Sequence, residues 1–78
     1  MATLRLFATV RVAAGTGKAS FEGSTVSEVL DAAANEYGSE FESLVPLCRI
    51  WVNGKGADSE TPVGDGDEVA LLPPVSGG

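Results

Sequence analysis

Apolar and polar residues alternate along the first part of the chain, which predicts a β-strand. The alternation runs over residues 3–11 and sends successive side chains to opposite faces, as in a half-buried strand. Two glycines in segment 14–17 predict a turn, after which a short strand over 18–21 returns as a hairpin. One face carries Leu4, Leu6, Ala8 and Val10, and the other carries Arg5, Phe7, Thr9 and Arg11.

A helical period replaces the alternation in the next segment. Thr25 and Glu28 have the spacing of a capping box, in which each side chain accepts a hydrogen bond from the other's backbone N–H. Gly38 follows at the position of a C-terminal cap, so the helix is expected between these signals. The predicted apolar stripe consists of Val26, Val29, Leu30, Ala33, Ala34 and Tyr37.

Residues 40–47 have no regular period and are interpreted as an irregular turn stopped by Pro46. Alternation returns over 48–53 and turns Cys48 inward, where it serves as a small hydrophobic side chain rather than a reactive thiol. The Asn53-Gly54 pair then predicts a tight turn into a short edge strand that starts at Lys55.

A last strand is predicted over 68–72, with Val69 and Leu71 on one face and Ala70 and Leu72 on the other. The order of elements indicates an α+β domain, with a mixed sheet of four to five strands and one main helix packed on one face. The domain is expected to span 1–72, and a flexible tail 73–78 follows it because Pro73 and Pro74 cannot continue a sheet ladder.

A single main helix covers only one face of such a sheet. If the first and last strands are central neighbours, an apolar patch of Phe7, Trp51, Ala70 and Leu72 lies on the other face. Arg5, Arg11 and Arg49 share its parity and would rim it. Such a patch predicts a partner-binding surface; the alternative is that loops or the middle segment cover it.

Composition narrows the function. The 78 residues carry 11 acidic and 5 basic side chains, a formal charge of −6, which argues against binding of nucleic acid. The absence of histidine and the single cysteine argue against a zinc site and against an enzyme in its own right. The chain has no membrane-length apolar run and no signal peptide, so a cytoplasmic protein is expected.

The chain ends in Pro73-Pro74-Val75-Ser76-Gly77-Gly78. Such a tail adds nothing to a hydrophobic core. It is therefore either a frayed terminus or a flexible arm whose terminal carboxylate is the working group.

Segment 65–78, together with the opening Leu6-Phe7-Ala8-Thr9-Val10-Arg11, resembles the MoaD/ThiS family of ubiquitin-like, β-grasp sulfur carriers. The resemblance is strongest to the small subunits of molybdopterin synthase. It implies a chain that takes part in chemistry without supplying catalytic side chains.

The resemblance also implies the chemistry of the tail and the partners. An E1-like adenylating enzyme of the MoeB/ThiF type would adenylate the carboxylate of Gly78, using ATP and magnesium in its own site. A sulfurtransferase or cysteine desulfurase would then supply sulfur and leave a C-terminal thiocarboxylate (1-thioglycine). The tail would insert into a molybdopterin synthase large subunit of the MoaE type, with docking on Phe7, Trp51, Leu72 and Arg11.

Two alternatives share the same tail. Close relatives of the resembled family deliver sulfur to thiamine thiazole, cysteine or a specialised metabolite. A ubiquitin-like protein modifier would instead join Gly78 to a lysine of another protein.

Overall fold

The computed structural model describes residues 1–74. These residues form a five-stranded sheet, three α-helices and one 3-10 turn. The strands are β1 Ala2–Leu6, β2 Lys18–Phe21, β3 Arg49–Val52, β4 Lys55–Ala57 and β5 Glu68–Leu72. The helices are α1 Ala8–Ala14, α2 Val26–Tyr37 and α3 Ser39–Leu44, and the 3-10 turn is Val45–Leu47.

The sheet has the strand order β2-β1-β5-β3-β4. The central strands β1 and β5 are parallel, and the other neighbours are antiparallel. The sheet is therefore mixed, as predicted, and the first and last strands are central neighbours, which is the condition on which the predicted apolar patch depended. Helices on one face complete the β-grasp, ubiquitin-like fold expected from the resemblance.

The predicted first strand is too long. β1 ends at Leu6, and residues 8–14 form α1 instead of continuing the alternation. Ala8 has a φ of +52°, a left-handed conformation that turns the chain out of the sheet at this point. Val10 is still fully buried, but on a helix, where the partly buried Ala13 and Ala14 share its side at spacings of three and four.

The main helix α2 begins and ends where the sequence predicts. Thr25 Oγ1 accepts a hydrogen bond from the Glu28 N–H at 3.2 Å. The returning half of the cap is shifted by one residue, because the Glu28 carboxylate accepts from the Ser24 N–H at 2.8 Å and from its hydroxyl at 2.9 Å. These two bonds favour the ionised carboxylate and lower the pKa of Glu28.

Segment 40–47 is more regular than predicted. It forms α3 and the 3-10 turn, which together bring Phe41 into the core with none of its surface exposed. The Phe41 ring meets Tyr37 of α2 edge-on, with centroids 5.2 Å apart. This segment therefore belongs to the helical layer. The buried core comprises Ala2, Leu4, Leu6, Val10, Val26, Val29, Leu30, Ala33, Phe41, Val63, Val69 and Leu71.

Asn53 joins the β3–β4 hairpin to the start of β5. Its side chain donates to Asp67 Oδ1 at 3.0 Å and accepts from the Glu68 N–H at 2.9 Å. Asn53 has a φ of +52° and Gly54 a φ of +82°, the conformation that suits asparagine and glycine in a two-residue hairpin.

We expect Asn53→Ala to lower the free energy of unfolding by about 1–2 kcal/mol, because it removes both bonds and places alanine in a left-handed conformation. Asn53→Gly removes the same bonds without the conformational cost, and should lose less. Urea denaturation of the two variants measures the difference. Equal losses would show that the backbone conformation contributes nothing.

No helix within residues 1–74 is both long enough and apolar enough to cross a bilayer.

Candidate functional site at the open face of the sheet

The side of the sheet away from the helices is called here the open face. Val69 and Leu71 of β5 point toward the helices and are fully buried, whereas Leu72 is 36% exposed. The strand register places Ala70 opposite Arg5 on one side and opposite Trp51 on the other. The open face therefore runs across the three central strands, as the sequence predicts.

Three large apolar side chains are exposed on or beside this face. Phe7 and Trp51 are each 37% exposed and Leu72 is 36% exposed. The middle segment does not cover them, because α3 packs against α1 and α2 on the helical side. With Ala70 these residues form the open-face patch: Phe7, Trp51, Ala70 and Leu72.

Phe7 and Arg11 reach this region by a different route from the one predicted. Phe7 follows the end of β1 and precedes α1, and Arg11 lies on α1 rather than on a strand. Arg11 nevertheless lines an open recess together with Arg5, Phe7 and Lys18. Arg5 places its guanidinium carbon 5.7 Å from the centroid of the Phe7 ring, within cation–π range.

Lys18 is a site residue that the sequence reasoning missed. The hairpin register pairs it with Arg5, so it lies on the open face at the tail end of the sheet. The sequence did contain a signal for Lys18. In a hairpin, directly paired residues lie on the same face, so the face of Lys18 follows once its partner strand residue is known. Arg49 lies across from Leu72 on β3, as its predicted parity requires.

The tail leaves the sheet beside this surface. β5 ends at Leu72, and Pro73 and Pro74 follow outside any strand or helix. The remaining tail residues predicted to act, Val75, Ser76, Gly77 and Gly78, lie outside the described residues.

Within residues 1–74, no three His, Cys, Asp or Glu side chains are grouped closely enough to share a metal ion. Cys48 is half-buried, and its thiol donates to the Leu44 carbonyl oxygen at 3.3 Å. Burial raises the pKa of this thiol, which keeps it protonated near neutral pH and makes it a poor nucleophile.

For the sulfur-carrier role that the resemblance implies, we expect Cys48→Ala to retain sulfur transfer, with a loss of about 1 kcal/mol in stability from the missing packing. The amount of thiocarboxylate formed per turnover of the activating enzyme measures transfer, and a thermal melt measures stability. A variant that folds but carries no sulfur would show that the thiol takes part in the chemistry.

The comparison with family models decides the relationship. The ThiS family model matches residues 4–78, almost the whole chain. This chain belongs to the ThiS family. The match confirms the resemblance to ubiquitin-like sulfur carriers. A search of curated proteins found no significant match.

Solved structures similar to this ThiS-family chain come from several organisms. Small archaeal modifier protein 1 (SAMP1) from Methanosarcina acetivorans is 29% identical, with a TM-score of 0.89 over 99% of this chain and 95% of that chain. CysO in the Amycolatopsis orientalis BexX/CysO complex is the match at 25% identity and a TM-score of 0.85, covering 100% of both chains. A chain of the complex of molybdopterin-converting factor subunits 1 and 2 from Helicobacter pylori is 28% identical, with a TM-score of 0.71 over 99% and 97%.

Two of these neighbours were solved as complexes with partner proteins. The exposed apolar surface of this ubiquitin-like sulfur carrier likewise fits a protein that binds partner proteins.

Proposed function

We propose that this chain is the sulfur-carrying small subunit of a molybdopterin synthase. The observation that carries the sulfur-carrier part of the proposal is that the family match extends through Gly77 and Gly78, so it includes the double glycine on which the carrier chemistry depends. The likeness to a molybdopterin-converting factor chain supports a pterin precursor as the sulfur acceptor and molybdopterin as the product.

The proposed reaction begins at Gly78. A carboxylate oxygen attacks the α-phosphate of ATP, pyrophosphate leaves, and the carboxylate becomes an acyl adenylate. The terminal sulfur of a persulfide on the sulfur donor then attacks the acyl carbon and AMP leaves, which gives an acyl disulfide. A thiol of a partner protein attacks the donor's sulfur in this disulfide, a new disulfide forms on the donor, and the chain is released as a thiocarboxylate with a nucleophilic sulfur. Gly77 adds no side chain beside the reacting carbon, and glycine can adopt φ and ψ angles that other residues avoid.

Partners supply the catalytic groups in this proposal. An E1-like enzyme of the MoeB/ThiF type provides the ATP and magnesium site, and a sulfurtransferase or cysteine desulfurase provides the sulfur. A MoaE-type large subunit receives the tail. The open-face patch and Arg11 dock these proteins, while Pro73, Pro74, Val75 and Ser76 form the arm between the domain and the glycines. Because the activating partner would use ATP, we expect the chain to act in the cytoplasm.

Intact mass spectrometry of the chain from its own cells tests the proposal. Replacement of one terminal oxygen by sulfur adds about 16 Da, and fragmentation should locate the gain at Gly78. Addition of the purified large subunit and the sulfur-free pterin precursor should then remove the gain and yield the dithiolene product. If the large subunit and the pterin precursor never consume the thiocarboxylate, the chain serves another sulfur acceptor and the molybdopterin role is wrong.

A protein modifier is the second candidate function, favoured by the likeness to small archaeal modifier protein 1. In that role Gly78 would form an isopeptide bond with a lysine of another protein. Tryptic digests of the cell's proteins would then contain lysines with a Gly-Gly remnant that disappears when the gene is deleted.

The likeness to CysO in a complex with BexX supports a third possibility, a carrier for an acceptor other than molybdopterin. Thiamine thiazole, cysteine and specialised metabolites are the acceptors to compare in the consumption assay.

A further inference from the structure

The positive charge of this acidic chain is concentrated at one place. Only five of its side chains are basic, against eleven acidic ones. Arg5, Lys18 and Arg49 lie on the open face by strand register, and Arg11 lines the recess beside them. Lys55 is the exception, since it pairs with the inward-facing Val52 on the other side of the sheet.

These cations lie at the end of the sheet from which the tail leaves. β1 and β5 are parallel, and Leu6 is in register with Leu71 at this end. The backbone N–H of Leu6 donates to the Gly17 carbonyl oxygen at 3.0 Å, which holds the turn before Lys18 at the same end.

Arg11 is held over this turn because residue 17 is glycine. A Cβ added at Gly17 would meet the Nε of Arg11 at 3.2 Å and its Cζ at 3.4 Å. The side chain of Arg11 therefore packs against the bare backbone of the turn at Gly17, and Arg11 and Lys18 line the same recess.

Most of this positive charge has no acidic partner within residues 1–74. Arg5 approaches Glu68 Oε2 at 3.5 Å. Among the described residues, Arg11, Lys18 and Arg49 form no ion pair, although the chain has more than twice as many acids as bases.

We infer that the protein docking on the open face carries a cluster of Asp and Glu side chains that meets Arg11 and Lys18 beside the tail. This inference rests on the proposed function for the existence of the docking partner and adds its surface chemistry. Attraction between the two clusters orients the domain before the tail enters the partner, and raises the association rate at low salt. A nucleic acid carries phosphates along its whole length and would also meet the acidic remainder of this surface, whereas a protein can place a local cluster of acids against the recess alone; a protein partner is therefore favoured over an RNA or DNA.

Charge-reversal variants test the inference, with Lys55 as the matched control. Arg11→Glu, Lys18→Glu and Lys55→Glu change the net charge by the same amount, but only the first two alter the recess. Association with the purified adenylating enzyme of the same cell is measured by stopped-flow fluorescence at low and at high salt. The neutral variants Arg11→Gln and Lys18→Gln, checked by thermal melts, replace any reversal that fails to fold.

We expect Arg11→Glu and Lys18→Glu each to slow association about fivefold at low salt, and the difference to vanish at high salt because salt screens surface charges. Lys55→Glu should change the rate much less. Gly17→Ala should slow association while leaving the melt nearly unchanged, since its methyl displaces only the flexible end of Arg11. Equal slowing by Lys55→Glu would overturn the inference, because net charge alone would then explain the effect.

The outcomes separate the inference from the proposed function. If wild-type chain acquires the thiocarboxylate but its association is insensitive to Arg11, Lys18 and salt, the function stands and the acidic docking cluster is wrong. If the wild-type chain neither binds the adenylating enzyme nor gains sulfur, both fall. Tighter binding to a single-stranded oligonucleotide than to the enzyme, at the same salt, would also overturn the inference.

Discussion

Deletion of Gly78 should abolish sulfur loading while leaving the melting temperature almost unchanged. In the proposed reaction the acyl carbon that accepts sulfur belongs to this residue, and the shortened chain would present its carboxylate one residue too far from the activating site. Among the described residues, the buried core ends at Leu71, so nothing that holds the domain together is removed. Mass spectrometry after incubation with the adenylating enzyme, ATP and the sulfur donor measures loading, and calorimetry measures the melt.

Two alanine substitutions sharpen this experiment. Gly78→Ala keeps the chain length but places a methyl group beside the reacting carbon, and should lower the loading rate by at least about tenfold through misplacement of the acyl group. Gly64→Ala is the matched control, because a Cβ there meets nothing within 4 Å and the residue lies far along the chain from the tail. A fall of several degrees in the melt of the Gly78 deletion would contradict a free arm, and undiminished loading would contradict the assigned role.

The strands of the second half could be predicted because strong local signals fix them. Asn53 and Gly54 define the hairpin turn, and the alternation of Val69 and Leu71 defines which side of β5 is buried. The same is true of α2, where the side chain of Thr25 and the glycine at position 38 mark the two ends. In each case, local preference and tertiary packing agree.

The segment after β1 could not be predicted from its period. Over seven residues, a buried Val10 satisfies either a strand or a helix, and the left-handed φ of Ala8 that separates them leaves no mark in the sequence. The recess around Arg11 could therefore not be predicted from the sequence, because the position of Arg11 depends on that helix. The patch itself was predictable, since Trp51 and Leu72 lie in strands whose parity is clear.

The choice of sulfur acceptor depends on features other than the fold and the glycine tail. The fold and the glycine tail serve every member of such a family, so they carry no information on which acceptor is used. Specificity must come from the shape and charge of the docking surface, which differ between partners.

Replacement of Leu72 by Asp should weaken binding of the adenylating enzyme or of the large subunit by about 30-fold or more, near 2 kcal/mol. Docking removes the patch from water, so a carboxylate at position 72 loses its hydration, and an ion pair with Arg49 across the strands offsets only part of that loss. Phe7→Asp should have a similar effect at the edge of the same patch. Isothermal titration calorimetry with each purified partner measures the loss.

Val12→Asp is the matched control for these variants. Val12 is 81% exposed on α1 and lies outside the open-face patch, so the substitution adds the same charge to an equally apolar position without touching the proposed interface. Affinity should stay within about twofold of wild type, as for most surface substitutions. Because Leu72 and Phe7 are already more than a third exposed, their variants should remain folded, and unaltered affinity in both would remove the open-face patch from the interface.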